Sequence, residues 1–273
     1  MAGSEISAYE RVAIARGKNR PLITDYIKEL FDDFVELKGD RLAKEDPSIL
    51  GGIASFHGIP VTVIGHRKGR STEENIKYNF GMASPEGYRK ALRLMKQAER
   101  FKRPVITFID TPGAYPGMEA ESGGQANAIA ENLAAMSSLQ TPVIAVVTGE
   151  GSSGGALALA VADRVYMLEN AVYSILSPEG FASIMWKDAS RAAQASEVMK
   201  LTAQELYDYK LIDRIVSEKG LYKNLDKLLL STIAKLQEYD MEELLSRRYR
   251  KFRTIDGIYK PQRAGFQEEA CPE

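Results

Sequence analysis

The chain has 273 residues, of which 44% are hydrophobic and 27% charged, and its 36 Lys and Arg residues nearly balance its 37 Asp and Glu residues. This composition is typical of a globular protein with a substantial core, and a formal charge of −1 gives no general electrostatic reason to bind nucleic acid or a membrane. The single cysteine, Cys271, excludes an internal disulfide and a metal site built from several cysteines, so we expect no metal. The N-terminus lacks the basic and apolar stretches of a signal peptide, and no apolar run is long enough to span a bilayer, so we expect a cytoplasmic protein.

The first hundred residues are predicted to change from helical to extended structure and back. Apolar residues with helical spacing predict helices over 7–16 and 22–37. Two extended segments around a tight His57-Gly58 turn predict a hairpin, and the basic stretch 65–71 that follows is predicted to be a loop. A further helix is predicted over 85–101, ending before Pro104.

The second half alternates buried strands with helices. Strands are predicted at 105–109, 143–147, 165–168 and 172–175, with helices at 124–139 and 156–162. From residue 178 the chain is predicted to be mostly helical, except at 211–216. This alternation is typical of an α/β fold with a largely parallel sheet. No linker or change of composition divides the chain, so we expect one domain over residues 1–273 with helical ends.

A glycine-containing loop follows each of the two long buried strands. The first loop covers residues 110–117 and the second covers residues 149–155. Ligands in open α/β sheets bind beyond the carboxyl ends of the strands, where both loops are expected to lie. In the second loop Gly154 and Gly155 precede a helix predicted to begin near Ala156. Their free N–H groups, which a ligand oxygen can approach closely, are typical of an oxyanion hole, and we expect a side chain at Gly155 to displace that oxygen.

Three known motifs are alternatives for the second loop. Gly151-Ser152-Ser153 resembles the nucleophile elbow of hydrolases, but that fold needs a His after the Ser, and both histidines lie upstream, so Ser152 and Ser153 are not expected to be nucleophiles. A phosphate loop of the Walker type needs Gly-Lys-Ser/Thr, which is absent here. The spacing does fit a dinucleotide fingerprint with Glu169 as its acidic residue, so spacing alone leaves that alternative open.

Longer motifs resemble a known family, the alpha-type carboxyltransferase subunits of bacterial acetyl-CoA carboxylase, within the crotonase superfamily. The resemblance extends from about residue 20 to residue 216 and is carried by these segments: 50–54, 64–70, 79–82, 85–95, 108–117, 149–151, 153–157 and 177–180. Matches of this length decide against a dinucleotide site in the second loop. One departure lies at Ser122-Gly123, where the family commonly has Glu-Arg, so an ion pair of the family is in doubt there.

The resemblance implies the fold, the reaction and the partners. It implies a ClpP/crotonase-type spiral of repeated strand–strand–helix units. It also implies transfer of a carboxyl group from carboxybiotin, held on a separate biotin carboxyl carrier protein and not on this chain, to acetyl-CoA, giving malonyl-CoA. The expected partners are a zinc-binding carboxyltransferase beta subunit in an alpha2beta2 assembly, the carrier protein and biotin carboxylase. Fatty acid biosynthesis is the implied pathway.

The resemblance also implies roles for individual residues. The amides of Gly154 and Gly155 would stabilise negative charge on the ureido oxygen of biotin, without a side-chain base. The surrounding binding loops would contribute these residues: Gly113, Ala114, Tyr115, Gly117, Gly151 and Ser153. The basic stretch suggests that Arg67, Lys68 and Arg70, joined by His66, contact phosphate or a partner. A stand-alone hydratase is the alternative enzyme, with Glu150 and Glu179 as its nearest acid/base candidates.

Overall fold

The computed structural model describes residues 6–255, which fold around one mixed β-sheet. Within those residues the sheet has eight strands: β1 (Asp32–Glu36), β2 (Ile49–Phe56), β3 (Ile59–His66), β4 (Val105–Thr111), β5 (Val143–Ser152), β6 (Arg164–Leu168), β7 (Val172–Ser174) and β8 (Arg214–Val216). The order is β1-β2-β3-β4-β5-β6-β8, with β7 paired to β5. Pairing is antiparallel from β1 to β3 and parallel from β3 onward, which confirms the predicted largely parallel α/β sheet.

Helices cover both faces of this sheet. Over residues 6–255 they are α1 (Ala8–Ala15), α2 (Ile23–Leu30), α3 (Thr72–Lys77), α4 (Pro85–Arg100), α5 (Met118–Ser122), α6 (Gln125–Ser138), α7 (Ser153–Leu157), α8 (Pro178–Trp186), α9 (Ala192–Met199), α10 (Ala203–Asp208), α11 (Leu221–Gln237) and α12 (Met241–Arg253). The backbone at Gly51 lies against Leu94 of α4, whereas the backbone at Gly65 lies against Ile23 of α2. Gly51 pairs with Ile64 and so faces the same side of the sheet, whereas Gly65, the next residue along β3, faces the other side. Helices α4 and α2 therefore pack on opposite sides of the sheet.

Local chemistry explains several elements that the sequence predicts correctly. Ser7 and Glu10 form a capping box that starts α1, and Pro85 occupies the first turn of α4. His57 and Gly58 both have positive φ, at 49° and 79°, as a tight turn between β2 and β3 requires. Among residues 6–255 no helix is long and apolar enough to cross a membrane.

The predicted helix over 22–37 is wrong beyond Leu30. Residues 32–36 form the edge strand β1, which pairs with β2 through an irregular register at Asp32 and Val35. Asp33 has a φ of 52°, which no helix continues through. The apolar residue at 31 is therefore the extended residue that ends α2, and the one at 34 belongs to β1, although their spacing imitates a helical face.

The charge of the basic segment 247–253 suggests a solvated surface, but part of this segment is buried. Arg248 is 1% exposed and binds both oxygens of Asp163, at 2.8 and 2.7 Å. Its remaining N–H groups donate to three main-chain carbonyls, those of Met136, Leu139 and Thr141, at 2.8 to 2.9 Å. Arg248 therefore fixes α12 against the end of α6 and the start of β5 and β6.

The parallel strands bring both glycine loops to the same edge. The first half of β5 pairs with β6, and its last residues, Glu150 to Ser152, pair with β7 instead. The predicted strand 143–147 is thus too short, because the glycine segment 149–152 continues it. The predicted helix at 156–162 lies too far toward the C-terminus, since α7 spans Ser153–Leu157.

Candidate active site

Gly154 and Gly155 lie inside the first turn of α7, and not ahead of it as the sequence suggests. Ser152 precedes the helix in extended conformation, and Ser153 has a φ of 56°. The Ala158 N–H donates to the Gly154 carbonyl at 2.9 Å, which orients the peptide that carries the Gly155 N–H. First-turn amides have no acceptor within their own helix, so these N–H groups can stabilise negative charge.

Gly155 is in direct contact with the first loop. A Cβ built at Gly155 would lie 2.6 Å from both the Ala114 nitrogen and the Gly113 carbonyl carbon, and 2.9 Å from the Tyr88 hydroxyl. At Gly154 the nearest atom would be a methyl group of Ile129, 3.6 Å away. A side chain at Gly155 would therefore displace the first loop and not enter open space, which corrects the expectation from the sequence.

The first loop is held in place by backbone contacts. Gly113 has a φ of 147°, a region that L side chains rarely adopt. The Tyr115 N–H donates to the Ala83 carbonyl at 3.0 Å, and the Gln125 amide donates to the carbonyls of Ala83 and Tyr115 at 2.8 and 3.0 Å. Gly117 precedes α5, where a Cβ would meet the Tyr115 ring at 2.5 Å. The loop is thus a fixed wall beside Gly155.

Asp110 links three segments around the two loops. Its Oδ1 accepts from Lys68 Nζ at 2.6 Å and from the Glu150 N–H at 3.0 Å. A Cβ at Gly149 would lie 2.3 Å from the same oxygen, so the carboxylate packs against bare backbone. From the sequence, Asp110 is recognisable only as the first residue of a loop. The signal that could identify its role is a buried carboxylate opposite a glycine that has no room for a side chain.

His66 differs from its predicted place in an exposed basic loop. It ends β3, is 2% exposed, and its ring nitrogens have no hydrogen-bond partner among the described residues. Burial lowers the pKa of His66 to about 4; Asp110 opposes the shift, Lys68 adds to it, and the backbone of Gly155 opposes it weakly. His66 is therefore neutral near pH 7 and lies beneath the second loop, so it cannot supply charge to a phosphate there.

The three predicted basic contacts separate into two groups. Lys68 and Arg70 line one cleft of about 580 Å³, together with Asp110 and Pro112 of the first loop. Arg70 pairs with Asp25 at 2.5 Å. Arg67 is not among the residues that line this cleft; its guanidinium lies 4.6 Å from the centre of the Tyr78 ring and pairs with Glu36 at 3.6 Å.

The acid/base candidates of a stand-alone hydratase are both bound to one arginine. Arg16, which directly follows α1, pairs with Glu150 at 2.7 Å and with Glu179 at 2.8 Å. Burial alone would raise the pKa of Glu179, but the hydrogen bonds from Arg16, the backbone and Ser177, together with the charge of Arg16, outweigh it and lower that pKa. Ser153 is exposed, whereas His57 pairs with Asp226 at 2.7 Å in the hairpin turn and His66 is buried. The groups available for catalysis in this arrangement are therefore backbone amides, and not an acid/base or nucleophilic side chain.

The chain is similar to known proteins over nearly all of its length. The model of the family described as acetyl co-enzyme A carboxylase carboxyltransferase-like matches residues 2–256. A protein of Clostridium acetobutylicum named acetyl-coenzyme A carboxylase carboxyl transferase subunit alpha is 56% identical over 264 residues, which cover 92% of this chain and 95% of that protein. A protein of Natranaerobius thermophilus named as subunits beta/alpha is 52% identical over 262 residues, which cover 93% of this chain but only 43% of that longer protein.

Among solved structures, a chain of transcarboxylase 12S superposes with a TM-score of 0.68 at 20% identity. The match covers 85% of this chain, which spans about half of the transcarboxylase chain, 46% of its length. At this identity the likeness concerns the fold, and it confirms the predicted crotonase-type architecture. With the family match extending over nearly all of its residues, the chain belongs to the acetyl co-enzyme A carboxylase carboxyltransferase-like family.

Proposed function

We propose that the chain is the alpha subunit of a biotin-dependent carboxyltransferase that moves a carboxyl group from carboxybiotin, held on a separate carrier protein, to acetyl-CoA, forming malonyl-CoA. The family match over nearly the whole chain carries this proposal. The site supports it, because two loops in contact present amides where negative charge can be stabilised.

The fit of a biotin ring rests on the backbone around Gly154 and Gly155. Their N–H groups would face the ureido oxygen, and the wall of Gly113, Ala114 and Tyr115 would hold the ring from one side. Carboxybiotin supplies the carboxyl group. The chain contributes donors fixed before the reaction, since the Ala158 N–H already orients the Gly154–Gly155 peptide.

The remaining loop residues have supporting parts in this proposal. Gly151 continues β5 up to the helix, and Ser153 adopts the positive φ that starts the first turn. Gly117 ends the first loop. Arg67, Lys68 and Arg70 would contact phosphate or an acidic partner surface.

The proposal includes an assembly. We expect a carboxyltransferase beta subunit, in an alpha2beta2 arrangement, to bind most of acetyl-CoA and complete the site. The relative named as subunits beta/alpha supports this, because its length holds both parts in one chain. Biotin carboxyl carrier protein and biotin carboxylase would complete the system in the cytoplasm, with residues 1–273 acting as one domain.

The direct test is malonyl-CoA formation by the purified chain with and without a beta-type subunit, beside a hydratase assay with an enoyl-CoA. We expect activity only from the mixture and only in the first assay. Malonyl-CoA formation by the chain alone, or hydratase turnover, would contradict the proposal. Analytical ultracentrifugation of the same mixture checks that the two subunits assemble.

A further inference from the structure

The cleft of about 580 Å³ is lined by five cationic side chains from two parts of the chain. They are Arg16, Lys18 and Arg20 after α1, and Lys68 and Arg70 before α3. Pockets of roughly 300–1,000 Å³ hold ligands of the size of a nucleotide. We call it the basic cleft; Asp110 and Pro112 place it beside the first loop, on the side of Lys68.

The residues that line the basic cleft carry five positive charges and one negative charge, that of Asp110, which pairs with Lys68; the acidic partners of Arg16, Arg20 and Arg70 are not among the lining residues. Arg20 donates to the Thr148 carbonyl at 2.6 Å and to Glu218 at 2.7 Å, but neither of these residues lines the cleft. Arg20 Nη2 is buried and has no hydrogen-bond partner among the described residues, so the wall has a donor still to be satisfied. In residues 6–255 no ion pair engages the exposed ammonium of Lys18.

An aromatic ring stands at the rim of the same cleft. Phe80 lines it and is 47% exposed. Its φ is 54°, that of Asn79 is 46° and that of Gly81 is 81°, so three successive residues are left-handed. The turn packs tightly against its surroundings, because a Cβ at Gly81 would lie 3.0 Å from both the Asp110 carbonyl and the Lys68 side chain. Non-glycine residues persist in this region where the surroundings impose it, often at ligand sites.

We propose that the basic cleft binds a nucleoside phosphate, whose base stacks on Phe80 and whose phosphates are held by Lys18, Arg20, Lys68 and Arg70. A ring and a cluster of cations recognise the two halves of such a ligand, whereas a free phosphate would leave Phe80 without a role. The inference extends the proposed phosphate contact of Lys68 and Arg70. The same chemistry occurs in the 3′-phosphoadenosine end of coenzyme A and in a free nucleotide.

The test is calorimetric titration of the full chain, without a partner subunit, with ADP, adenosine 3′,5′-bisphosphate, coenzyme A and inorganic phosphate. We expect saturable binding of at least one nucleotide, weakened by salt. Phe80→Ala and Lys18→Ala should each weaken it by roughly fivefold or more. The matched controls are Phe101→Ala and Lys96→Ala, two exposed residues outside the cleft, which should leave binding unchanged.

Each outcome decides the proposal. Binding of the bisphosphate and coenzyme A but not of ADP supports the coenzyme end, and binding of ADP supports a free nucleotide. The proposal is overturned by no saturable binding at millimolar ligand, by binding of inorganic phosphate that is indifferent to Phe80→Ala, or by equal losses in the control variants. Carboxyl transfer is measured in a separate assay with the partner subunit. A negative result in that assay would contradict the proposed function but not the nucleotide site.

Discussion

Replacing Gly155 with Ala should lower kcat for malonyl-CoA formation by about 100-fold. The new Cβ would lie 2.6 Å from the backbone of Gly113 and Ala114, whereas ordinary contact begins at 3.4 Å. Either the first loop or α7 must therefore move by about 0.8 Å, and a misplacement on the order of 1 Å costs roughly 100-fold in rate. Complete loss of one oxyanion donor costs about 100- to 1,000-fold, which sets the upper end of the expected effect.

The assay is malonyl-CoA formation by the chain assembled with a beta-type subunit, at saturating acetyl-CoA, so that kcat is separated from KM. The KM for acetyl-CoA should change little, because the partner is expected to bind it. The control is Gly154→Ala, whose Cβ would meet only Ile129 at 3.6 Å and which keeps its N–H. It should retain kcat within about threefold, a change below about 1 kcal/mol in the barrier. If Gly155→Ala is folded and assembled, by thermal denaturation and sedimentation, yet turns over as fast as Gly154→Ala, the assignment of the oxyanion hole is wrong.

Three further predictions use the same complex or the isolated chain. Arg248→Met should lower the free energy of unfolding by about 3–5 kcal/mol, because it leaves Asp163 buried without its cation. The control Arg247→Met, at an exposed neighbouring residue, should lower it by less than about 1 kcal/mol. Equal midpoints of the two variants in thermal denaturation would contradict this prediction. Asp110→Asn should lower kcat by about tenfold or more with little change in KM, because the carboxylate that holds Lys68 and the Glu150 N–H loses its charge, and an unchanged kcat would show that these contacts do not position the loop. Ser153→Ala should keep most activity, and labelling of Ser153 by a serine-reactive phosphonate would argue for a nucleophile instead.

Much of the fold follows from local patterns, and the errors have a common origin. The hairpin around His57 and the long helix after Pro85 are predicted correctly because turn and start signals coincide with a clear period. The segment 31–36 is predicted wrongly, because its few apolar residues are equally compatible with a helix and with an edge strand. Pairing with β2 decides between the two, and that pairing is a contact that local sequence does not contain.

For the site, the sequence predicts which loops meet but not what holds them. That Gly155 touches the first loop follows from two strands ending at one edge. The roles of Asp110, His66 and Arg16 depend on contacts between residues that are 40 or more positions apart, such as the Asp110 bond to the Glu150 N–H. The charged residues of the stretch 65–71 predict a solvated loop when only the local sequence is considered. The folded chain shows instead that His66 is buried.

The position of Arg248 has a consequence for the order of events during synthesis. The 85 residues that separate it from Asp163 take roughly 4–17 s to translate at about 5–20 residues per second. Until then the carboxylate and the three carbonyls that Arg248 will bind stay hydrated at an unfinished end of the sheet, and α6 lacks its last helical neighbour. The nascent chain is therefore exposed to aggregation and to proteases for that interval, and a chaperone that shields the end of α6 would protect it most.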